Sequence, residues 1–312
     1  MMVEQAIAVP DHVAAQHEFR AELIDAGVLV ATSVDGLYQR SAVFESIVRG
    51  LERRVSDAGG GRYEPLLYFP PVLPRDVFIR SDYLRSFPDL TGSVDTFVGD
   101  DRQHAALLNA LETGADWTQY LTPAEVMLCS AACHPLYPSL TGTLPPGGRQ
   151  MEVQGFCFRH EPSVDPARMQ VFRQHEFVAV GEPDRCLAHR DGWLTRALGI
   201  LGGLGLPVTK VVANDPFFGR AGRMLAANQR ETTLKYEIVC PITSEEFPTA
   251  IASGNYHIDH FGGPFAIRTA NGETAHSACI GFGMERITLA LLKTHGLDPK
   301  SWPSPVRMRL GL

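Results

Sequence analysis

Residues 155–177, GFCFRHEPSVDPARMQVFRQHEF, concentrate charged and aromatic side chains in a short span. Apolar residues alternate with polar ones up to Arg159, and the extended apolar pattern restarts at Val171, which predicts an antiparallel hairpin with a long polar tip. The planar fork of Arg159 can bind a phosphate, Glu161 can accept a hydrogen bond from an amine, and Phe177 can stack on a base. These residue types favour a nucleotide site, and a salt-bridged hairpin without a ligand is the alternative.

A second candidate region lies near the C-terminus, where GFGMER at residues 281–286 precedes an apolar helical run at residues 287–292. Glycines allow a strand to pass close to a ligand. Arg286 falls in the first turn of the helix, where a cation is unfavourable at the positive end of the helix dipole unless an anion or an aromatic face receives it. The sequence therefore predicts that Arg286 binds a ligand.

Length, composition and charge limit the kind of protein that can position these residues. The 312 residues, 45% of them hydrophobic, suffice for one large domain with a substantial core. The formal net charge of −7 argues against a surface devoted to the phosphate backbones of nucleic acids. Neither a signal peptide nor a membrane-spanning run is recognisable. Six cysteines without paired motifs are expected to stay reduced, which indicates a cytoplasmic protein without a membrane partner.

The elements around the two candidate regions follow from periodicity. Residues 14–56 show helical patterns, so residues 1–62 are predicted to be a helical segment packed on a core formed by residues 63–312. The proline-rich apolar stretch at residues 66–74 is predicted to be an edge strand. Residues 100–112 are predicted to form an amphipathic helix.

Residues 214–232 hold the one basic cluster of this acidic chain. Asn-Asp-Pro at residues 214–216 can cap a helix whose exposed face would carry Arg220, Arg223 and Arg230. This stretch is predicted to be a small helical insertion in the core domain. Its charged face is either simply solvated or a docking site for an acidic partner.

The two arginine regions together resemble motifs 2 and 3 of the class II aminoacyl-tRNA synthetases. Stretches at residues 124–126, 173–177 and 235–238 further resemble, in order, signatures of seryl-tRNA synthetases. Residues 121–135 resemble the loop that closes over the amino acid and leads into a short helix. The resemblance implies an α/β (α+β) fold with a mostly antiparallel sheet flanked by helices. The sequence contains neither a Rossmann nor a Walker motif, either of which would have indicated a doubly wound parallel sheet.

The same resemblance implies the residues that bind ATP. Arg159 would bind the α-phosphate, Arg286 would bind the γ-phosphate and cover the adenine, and Phe177 would stack on the other face of the base. The other implied ATP-binding positions are Glu161, Arg168, Met169, Ala250, Ile251, Ala252 and Ser253. Mg²⁺ would accompany the phosphates.

Three dispersed residues match the zinc ligands of the atypical, methanogen-type seryl-tRNA synthetases, namely Cys133, Glu176 and Cys279. The match implies one Zn²⁺ per chain that accepts the amino group of a substrate amino acid, with Cys133 and Glu176 at the amino-acid site. Cys129 is the alternative first ligand, and buried apolar thiols without a metal are the alternative interpretation. The sequence HIDH at residues 257–260 is a competing metal candidate, for which loop polarity is the favoured explanation.

The whole chain most resembles the amino acid:[carrier protein] ligases, relatives of these atypical enzymes. It lacks the sustained heptads of the tRNA-binding coiled coil, and its charge is negative, so no tRNA partner is expected. The resemblance implies activation of glycine or alanine by ATP and transfer to the phosphopantetheine thiol of a carrier protein, which would dock on the arginine-bearing helix. The stretch at residues 66–74 resembles motif 1 and implies a homodimer. A tRNA-charging enzyme and an inactive synthetase paralogue are the alternatives.

Overall fold

The computed structural model describes residues 11–215 and 233–312. The helices of this part are α1 (Asp11–Asp25), α2 (Ala42–Gly59), α3 (Arg75–Arg80), α4 (Tyr83–Ser86), α5 (Asp101–Thr113), α6 (Pro183–Gly203), α7 (Met284–His295) and α8 (Ser304–Leu310). The strands are β1 (Leu29–Ala31), β2 (Tyr38–Arg40), β3 (Glu64–Phe69), β4 (Val72–Pro74), β5 (Ser93–Phe97), β6 (Leu121–Leu128), β7 (Gly142–Thr143), β8 (Arg149–Phe158), β9 (Val171–Gly181), β10 (Thr209–Ala213), β11 (Lys235–Cys240), β12 (Thr249–Ile258), β13 (Ile267–Arg268) and β14 (His276–Gly283). Short 3-10 helices lie at Pro88–Leu90, Thr118–Tyr120, His134–Leu140 and Pro299–Ser301.

A seven-stranded sheet with the order β10-β11-β12-β14-β9-β8-β3 forms the centre of the fold. Its neighbouring strands are antiparallel, except that β3 runs parallel to β8. A separate three-stranded sheet has the order β4-β6-β5. The predicted α/β fold with a mostly antiparallel sheet and flanking helices is therefore confirmed.

The predicted hairpin at residues 155–177 is confirmed as strands β8 and β9. Their register runs from the pair Arg149 and Val180 to the pair Phe158 and Val171. Arg159 N donates a hydrogen bond to Gln170 O at 2.9 Å, which closes the base of the connecting loop. Since successive side chains of a strand point to opposite faces, this register decides which loop-flanking residues can meet.

Two apolar cores cover the two faces of the central sheet. One packs helices α1, α2, α6, α7 and α8 against the face that carries Phe177. The other packs α3, α4, β4, β6 and the 3-10 helix His134–Leu140 against the face that carries Val178 and Val180. Both faces are buried, so apolar alternation along β9 is weak and cannot be seen in the sequence.

Helix α2 illustrates how the sequence builds the helical layer. The side chain of Ser41 caps its first turn by accepting a hydrogen bond from Phe44 N at 3.2 Å, and Gly60 follows its last turn with a left-handed φ of 64°. Between these ends, an apolar stripe at helical spacing is buried: Phe44, Ile47, Val48, Leu51 and Val55. The stripe packs into the core that contains α7 and α8.

Several local predictions can be compared with these elements. The amphipathic helix is confirmed as α5, which begins with a capping box formed by Asp100 and Gln103. The loop expected at residues 121–135 is wrong for residues 121–128, which form β6 and pair with β4 and β5, whereas the short helix expected after it is present as the 3-10 helix His134–Leu140. The N-terminal segment is not only helical, because the β1–β2 hairpin separates α1 from α2.

Two further findings concern the limits of the described chain. Residues 216–232, with most of the predicted insertion and with Arg220, Arg223 and Arg230, lie outside the described residues. Within residues 11–215 and 233–312, no helix is long and apolar enough to cross a membrane.

Candidate active site

A cavity of about 360 Å³ opens over the central sheet on the face away from helices α2 and α6. Strands β9, β11, β12 and β14, the start of α7 and the segment around Cys133 all contribute to its lining. Of the residues proposed from the sequence, the following line it: Cys133, Arg159, Glu176, Ala250, Ile251, Ala252, Ser253, Cys279 and Arg286. The fold therefore brings residues that are up to 153 positions apart into one cavity.

Arg159 stands at the end of β8, where its guanidinium enters the cavity. Its Nε and Nη2 atoms both donate to Ser130 O at 3.3 Å, and its charged group lies 5.3 Å from the centre of the Phe172 ring. A carbonyl and an aromatic face orient this arginine without neutralising it. The guanidinium is therefore held in the cavity as a cation.

Arg286 enters the same cavity from the first turn of α7. Its Nε donates to Ala167 O at 2.8 Å and its Nη1 donates to Ala250 O at 3.0 Å. Burial lowers the pKa of this guanidinium, and the neighbouring charge of Arg159 lowers it further. Two cations that repel each other and rest on carbonyl groups form a site suited to a polyphosphate.

Phe177 does not line the cavity, which corrects the prediction that it stacks on a base. Its side chain is fully buried on the opposite face of the sheet. There it stacks on Trp193 with ring centres 4.0 Å apart and contacts the ring of Tyr63 at 4.7 Å. The aromatic ring that does line the cavity from β9 is Phe172. Counting in steps of two from Glu176 along the strand would have found it, because Phe172, Gln174 and Glu176 share one face.

The other implied ATP-binding residues lie around the cavity rather than in its lining. Glu161 and Arg168 form an ion pair at 3.8 Å in the β8–β9 loop, and the Arg168 side chain is 55% exposed. Met169 is buried beside Phe172 and Arg286, where it lines a small pocket behind the arginine. These positions allow the loop to support the arginines from outside.

The predicted zinc ligands converge on one wall of the cavity. Cys133 N donates to a carboxylate oxygen of Glu176 at 3.3 Å, and the thiols of Cys133 and Cys279 share a hydrogen bond. This hydrogen bond holds the pKa of Cys279 well below its usual value, whereas burial raises the pKa of Glu176 well above its usual value. Cys129 lies apart, with its thiol hydrogen-bonded to Ala131 O at 3.1 Å and to Cys157.

The three converging side chains do not form a complete metal site. Among residues 11–215 and 233–312, no group of three or more His, Cys, Asp or Glu side chains has an arrangement that could hold a metal ion. The donor set itself fits Zn²⁺, since it offers two thiols and one carboxylate. All three residues are at most 4% exposed, so their polar atoms face one another instead of solvent.

Sequence reasoning missed several polar residues of the cavity. His257 Nε2 lies 3.6 Å from Cys279 Sγ, and its Nδ1 contacts Ser277 Oγ at 3.0 Å. Asn255 Nδ2 also lies 3.6 Å from the same sulfur. The register provides the reason, because Asn255 pairs with Cys279 across β12 and β14 and His257 follows two residues later. His257 of the HIDH sequence is therefore a neighbour of the predicted ligand Cys279.

Lys235, at the start of β11, is a further cavity residue that the sequence did not reveal. Its side chain is only 9% exposed, and its Nζ lies 2.5 Å from Asp215 Oδ1 and 3.1 Å from Glu237 Oε1. These two carboxylates raise the pKa of Lys235 although burial alone would lower it. The lysine is therefore a fixed cation at the edge of the cavity.

A buried charge network lies beneath the cavity on the helical face of the sheet. Glu285 accepts hydrogen bonds from Arg173 N at 2.6 Å and from Arg173 Nε at 2.8 Å, and it lies 3.4 Å from Arg40 Nη1. Arg173 also binds both carboxylate oxygens of Glu45, at 2.7 and 2.8 Å. The network ties β9 to the first turn of α7, next to Arg286.

The antiparallel sheet, with Arg159 after β8 and Arg286 at the start of α7, defines a class II aminoacyl-tRNA synthetase-like fold. In the complex of M. kandleri SerRS with A. aeolicus tRNASec, the synthetase superposes with a TM-score of 0.78 at 23% identity, covering 94% of this chain and 60% of that chain. The seryl-tRNA synthetase of Pyrococcus horikoshii complexed with ATP gives a TM-score of 0.66 at 14% identity, covering 98% and 64% of the two chains.

Sequence comparison identifies the family within this class. Two proteins of Bradyrhizobium diazoefficiens, "Amino acid--[acyl-carrier-protein] ligase 1" and "2", are each 44% identical to this chain. The matched region covers 89% of this chain and 86% and 83%, respectively, of the two relatives. The type-2 serine--tRNA ligase of Methanopyrus kandleri is 28% identical over 86% of this chain and 55% of its own length. No family model matches the chain. The chain therefore belongs to the amino acid--[acyl-carrier-protein] ligase family, and it is a ligase.

Proposed function

We propose that this ligase activates a small amino acid with ATP and transfers it to the phosphopantetheine thiol of a carrier protein. The observation that carries the proposal is that Arg159 and Arg286 line one cavity together with Cys133, Glu176 and Cys279. The cavity thus offers cationic groups for a polyphosphate and a thiol and carboxylate group for an amino group. The names of the Bradyrhizobium relatives support the carrier protein as acceptor.

In the first step, a carboxylate oxygen of the amino acid attacks the α-phosphorus of ATP. The new bond joins carboxylate and phosphorus, the bond to the bridging oxygen breaks, and pyrophosphate leaves with its electron pair. Arg159 stabilises the charge that develops at the α-phosphate, and Arg286 binds the departing phosphates. The carboxylate is already ionised, so alignment within the cavity replaces a general base. Mg²⁺ accompanies ATP as its usual counterion.

The proposal includes one Zn²⁺ per chain, which Cys133, Glu176 and Cys279 would hold, since two thiols and a carboxylate are donor types that zinc binds. When bound, the ion supplies a Lewis-acidic position that accepts the α-amino group of the substrate. The protein contributes the orientation of the ligands, through the Cys133 N to Glu176 hydrogen bond and the contact of His257 with Cys279. Recognition of an amino group needs no side chain, which favours glycine or alanine as substrate.

In the second step, the phosphopantetheine sulfur attacks the carbonyl carbon of the aminoacyl-adenylate. A carbon–sulfur bond forms, the carbon–oxygen bond to the phosphate breaks, AMP leaves, and the thiol proton is released. The carrier protein is proposed to dock on Arg220, Arg223 and Arg230, whose positive charge complements an acidic partner. This docking site rests on the sequence, because the three arginines lie outside the described residues.

A second copy of the chain is the other proposed partner. The edge strand β3 pairs with β8 on one side, and its Tyr68 side chain is 71% exposed. An exposed aromatic residue on a sheet edge suits a subunit interface. Sedimentation equilibrium of wild-type protein and of a Tyr68→Glu variant tests this homodimer; equal masses at the monomer value would exclude it.

Amino-acid-dependent exchange of pyrophosphate into ATP, measured for all twenty amino acids, tests the first step. We expect exchange with glycine or alanine and none without an amino acid. No exchange with any amino acid would contradict the proposal.

Mass spectrometry of a carrier protein tests the second step. We expect the mass of the carrier that bears phosphopantetheine to increase by that of the aminoacyl group, and hydroxylamine to remove this increase. An equal gain on carrier without the prosthetic arm would show that the bond is not a thioester. Charging of total tRNA at a comparable rate would instead support the tRNA-charging alternative, and transfer unaffected by Arg220→Glu with Arg223→Glu would reject the docking helix.

A further inference from the structure

The β1–β2 hairpin is packed against the β8–β9 loop, which begins at Arg159. The tip of the hairpin meets Gln170, the last residue of the β8–β9 loop: Gln170 N donates to Gly36 O at 2.9 Å, and Gln170 Nε2 donates to Asp35 O at 2.7 Å. Gln170 O in turn accepts the hydrogen bond from Arg159 N at 2.9 Å. One residue, only 4% exposed, therefore links the hairpin tip to the backbone of Arg159.

The approach of the hairpin tip to the loop requires glycine at position 36. Gly36 has a φ of +78°, which side chains rarely adopt. A Cβ atom there would lie 3.1 Å from both Arg168 O and Gln170 Cγ. The backbone of the tip thus rests directly on the loop, without an intervening side chain.

The end of the hairpin contacts the second arginine-bearing element. Arg40 Nη2 donates to Val171 O at 2.6 Å, at the point where the loop enters β9. Its Nη1 lies 3.4 Å from Glu285, the residue before Arg286. The hairpin therefore reaches both the base of the β8–β9 loop and the first turn of α7.

We propose that the β1–β2 hairpin, residues 29–40, is a positioning element for Arg159 and Arg286. It does not line the cavity, so it acts through Gln170 and Glu285. The loop between Arg159 and Gln170 contains charged residues that are partly exposed, and fixing its base removes conformations that ATP binding would otherwise have to exclude. The inference rests on the proposed binding of ATP by the two arginines.

Two glycines of the same region provide a matched test. Gly27 and Gly36 have φ values of +65° and +78°, so replacement by alanine introduces similar backbone strain at both positions. A Cβ at Gly27 has no atom within 4 Å, whereas at Gly36 it meets the loop. Gly27→Ala therefore controls for the strain, and only Gly36→Ala displaces the loop.

The first measurement is pyrophosphate exchange at varied ATP concentration. We expect kcat/KM for ATP to fall about tenfold or more in Gly36→Ala, because small displacements of phosphate-binding groups have large effects. In Gly27→Ala we expect it to stay within about twofold of wild type, as for substitutions that touch nothing. The effect should appear chiefly in the KM for ATP, with a smaller change in the KM for the amino acid.

The second measurement does not depend on ATP. Arg168 is a trypsin site in the loop, and its side chain is 55% exposed. Cleavage after Arg168 in ligand-free protein should be faster in Gly36→Ala than in Gly27→Ala, since it follows local opening of the loop. Melting temperatures of both variants establish that each is folded at the assay temperature.

The Gln170→Met variant keeps the size of the side chain and removes its hydrogen bond to Asp35 O, so it applies the same tests if Gly36→Ala does not fold. Faster cleavage together with a raised KM supports the positioning role. The positioning role is overturned if Gly36→Ala, or Gln170→Met in its place, has the same cleavage rate and the same KM for ATP as Gly27→Ala. Wild-type protein without any exchange would refute the proposed function, while the cleavage comparison would still decide whether the hairpin holds the loop.

Discussion

Replacing Glu285 by glutamine should destabilise the protein more than replacing Glu45 by glutamine in the same charge network beneath the cavity. Glu285 is 1% exposed, accepts two hydrogen bonds from Arg173 and forms an ion pair with Arg40. Two arginines face two glutamates here, since Glu45 binds the other side of Arg173. Glutamine preserves the shape of the side chain but leaves one buried positive charge uncompensated.

The magnitude follows from this burial. Removing one partner of a buried ion pair lowers the free energy of unfolding by about 3–5 kcal/mol. Because the glutamine oxygen can still accept a hydrogen bond from Arg173, we expect a loss near the lower end of this range. Glu45→Gln removes the same charge from Arg173 at a side chain that is 28% exposed. Solvent screens that pair, so its loss should cost about 1 kcal/mol.

Urea unfolding followed by tryptophan fluorescence measures both variants against wild type. Trp193 is a suitable probe, because its ring is buried and stacked on Phe177 in the core on the same face of the sheet. We expect the unfolding midpoint of Glu285→Gln to fall clearly below that of Glu45→Gln at an unchanged slope. Equal midpoints for the two variants, or a loss below about 1 kcal/mol for Glu285→Gln, would refute the argument that burial decides the cost.

Other predictions concern the cavity and the pH dependence of stability. Arg159→Ala and Arg286→Ala should each reduce pyrophosphate exchange by about a hundredfold or more without changing circular dichroism, because each removes charge stabilisation of about 3 kcal/mol; activity within tenfold of wild type would contradict these roles. Elemental analysis should find about one zinc per chain and little in Cys279→Ala, and full retention of metal by that variant would exclude the site. His257→Phe should weaken zinc binding about tenfold in a chelator competition, since the ring contacts the Cys279 sulfur. Burial would raise the pKa of Glu45, but its arginine partner holds it below the usual 4.5. As pH falls, Glu45 is therefore protonated in the unfolded chain before it is protonated in the folded protein. The free energy of unfolding of the wild type should fall below about pH 4.5, and that of Glu45→Gln should fall less. Urea midpoints measured from pH 7 to 3 test this difference.

Local patterns in the sequence determined much of this protein's architecture. Alternation and restart of apolar residues around Arg159 predicted the β8–β9 hairpin, and helical spacing predicted α5, because both depend on neighbours within a few residues. Glycines followed by Arg286 predicted a strand that leads into a helix, as β14 and α7 do. These features are set by backbone geometry and by short-range periodicity.

Only the tertiary structure decided which side chains share the cavity. Period-two spacing places Phe172 and Phe177 on opposite faces of β9, but both faces of the central sheet are buried, so apolar patterning alone could not tell which face carries the cavity. The contact of His257 with Cys279 depends on the register of β12 against β14. The contact of Gly36 with Gln170 joins residues that lie far apart in the sequence. Such pairings arise from packing and strand register, which no local pattern encodes.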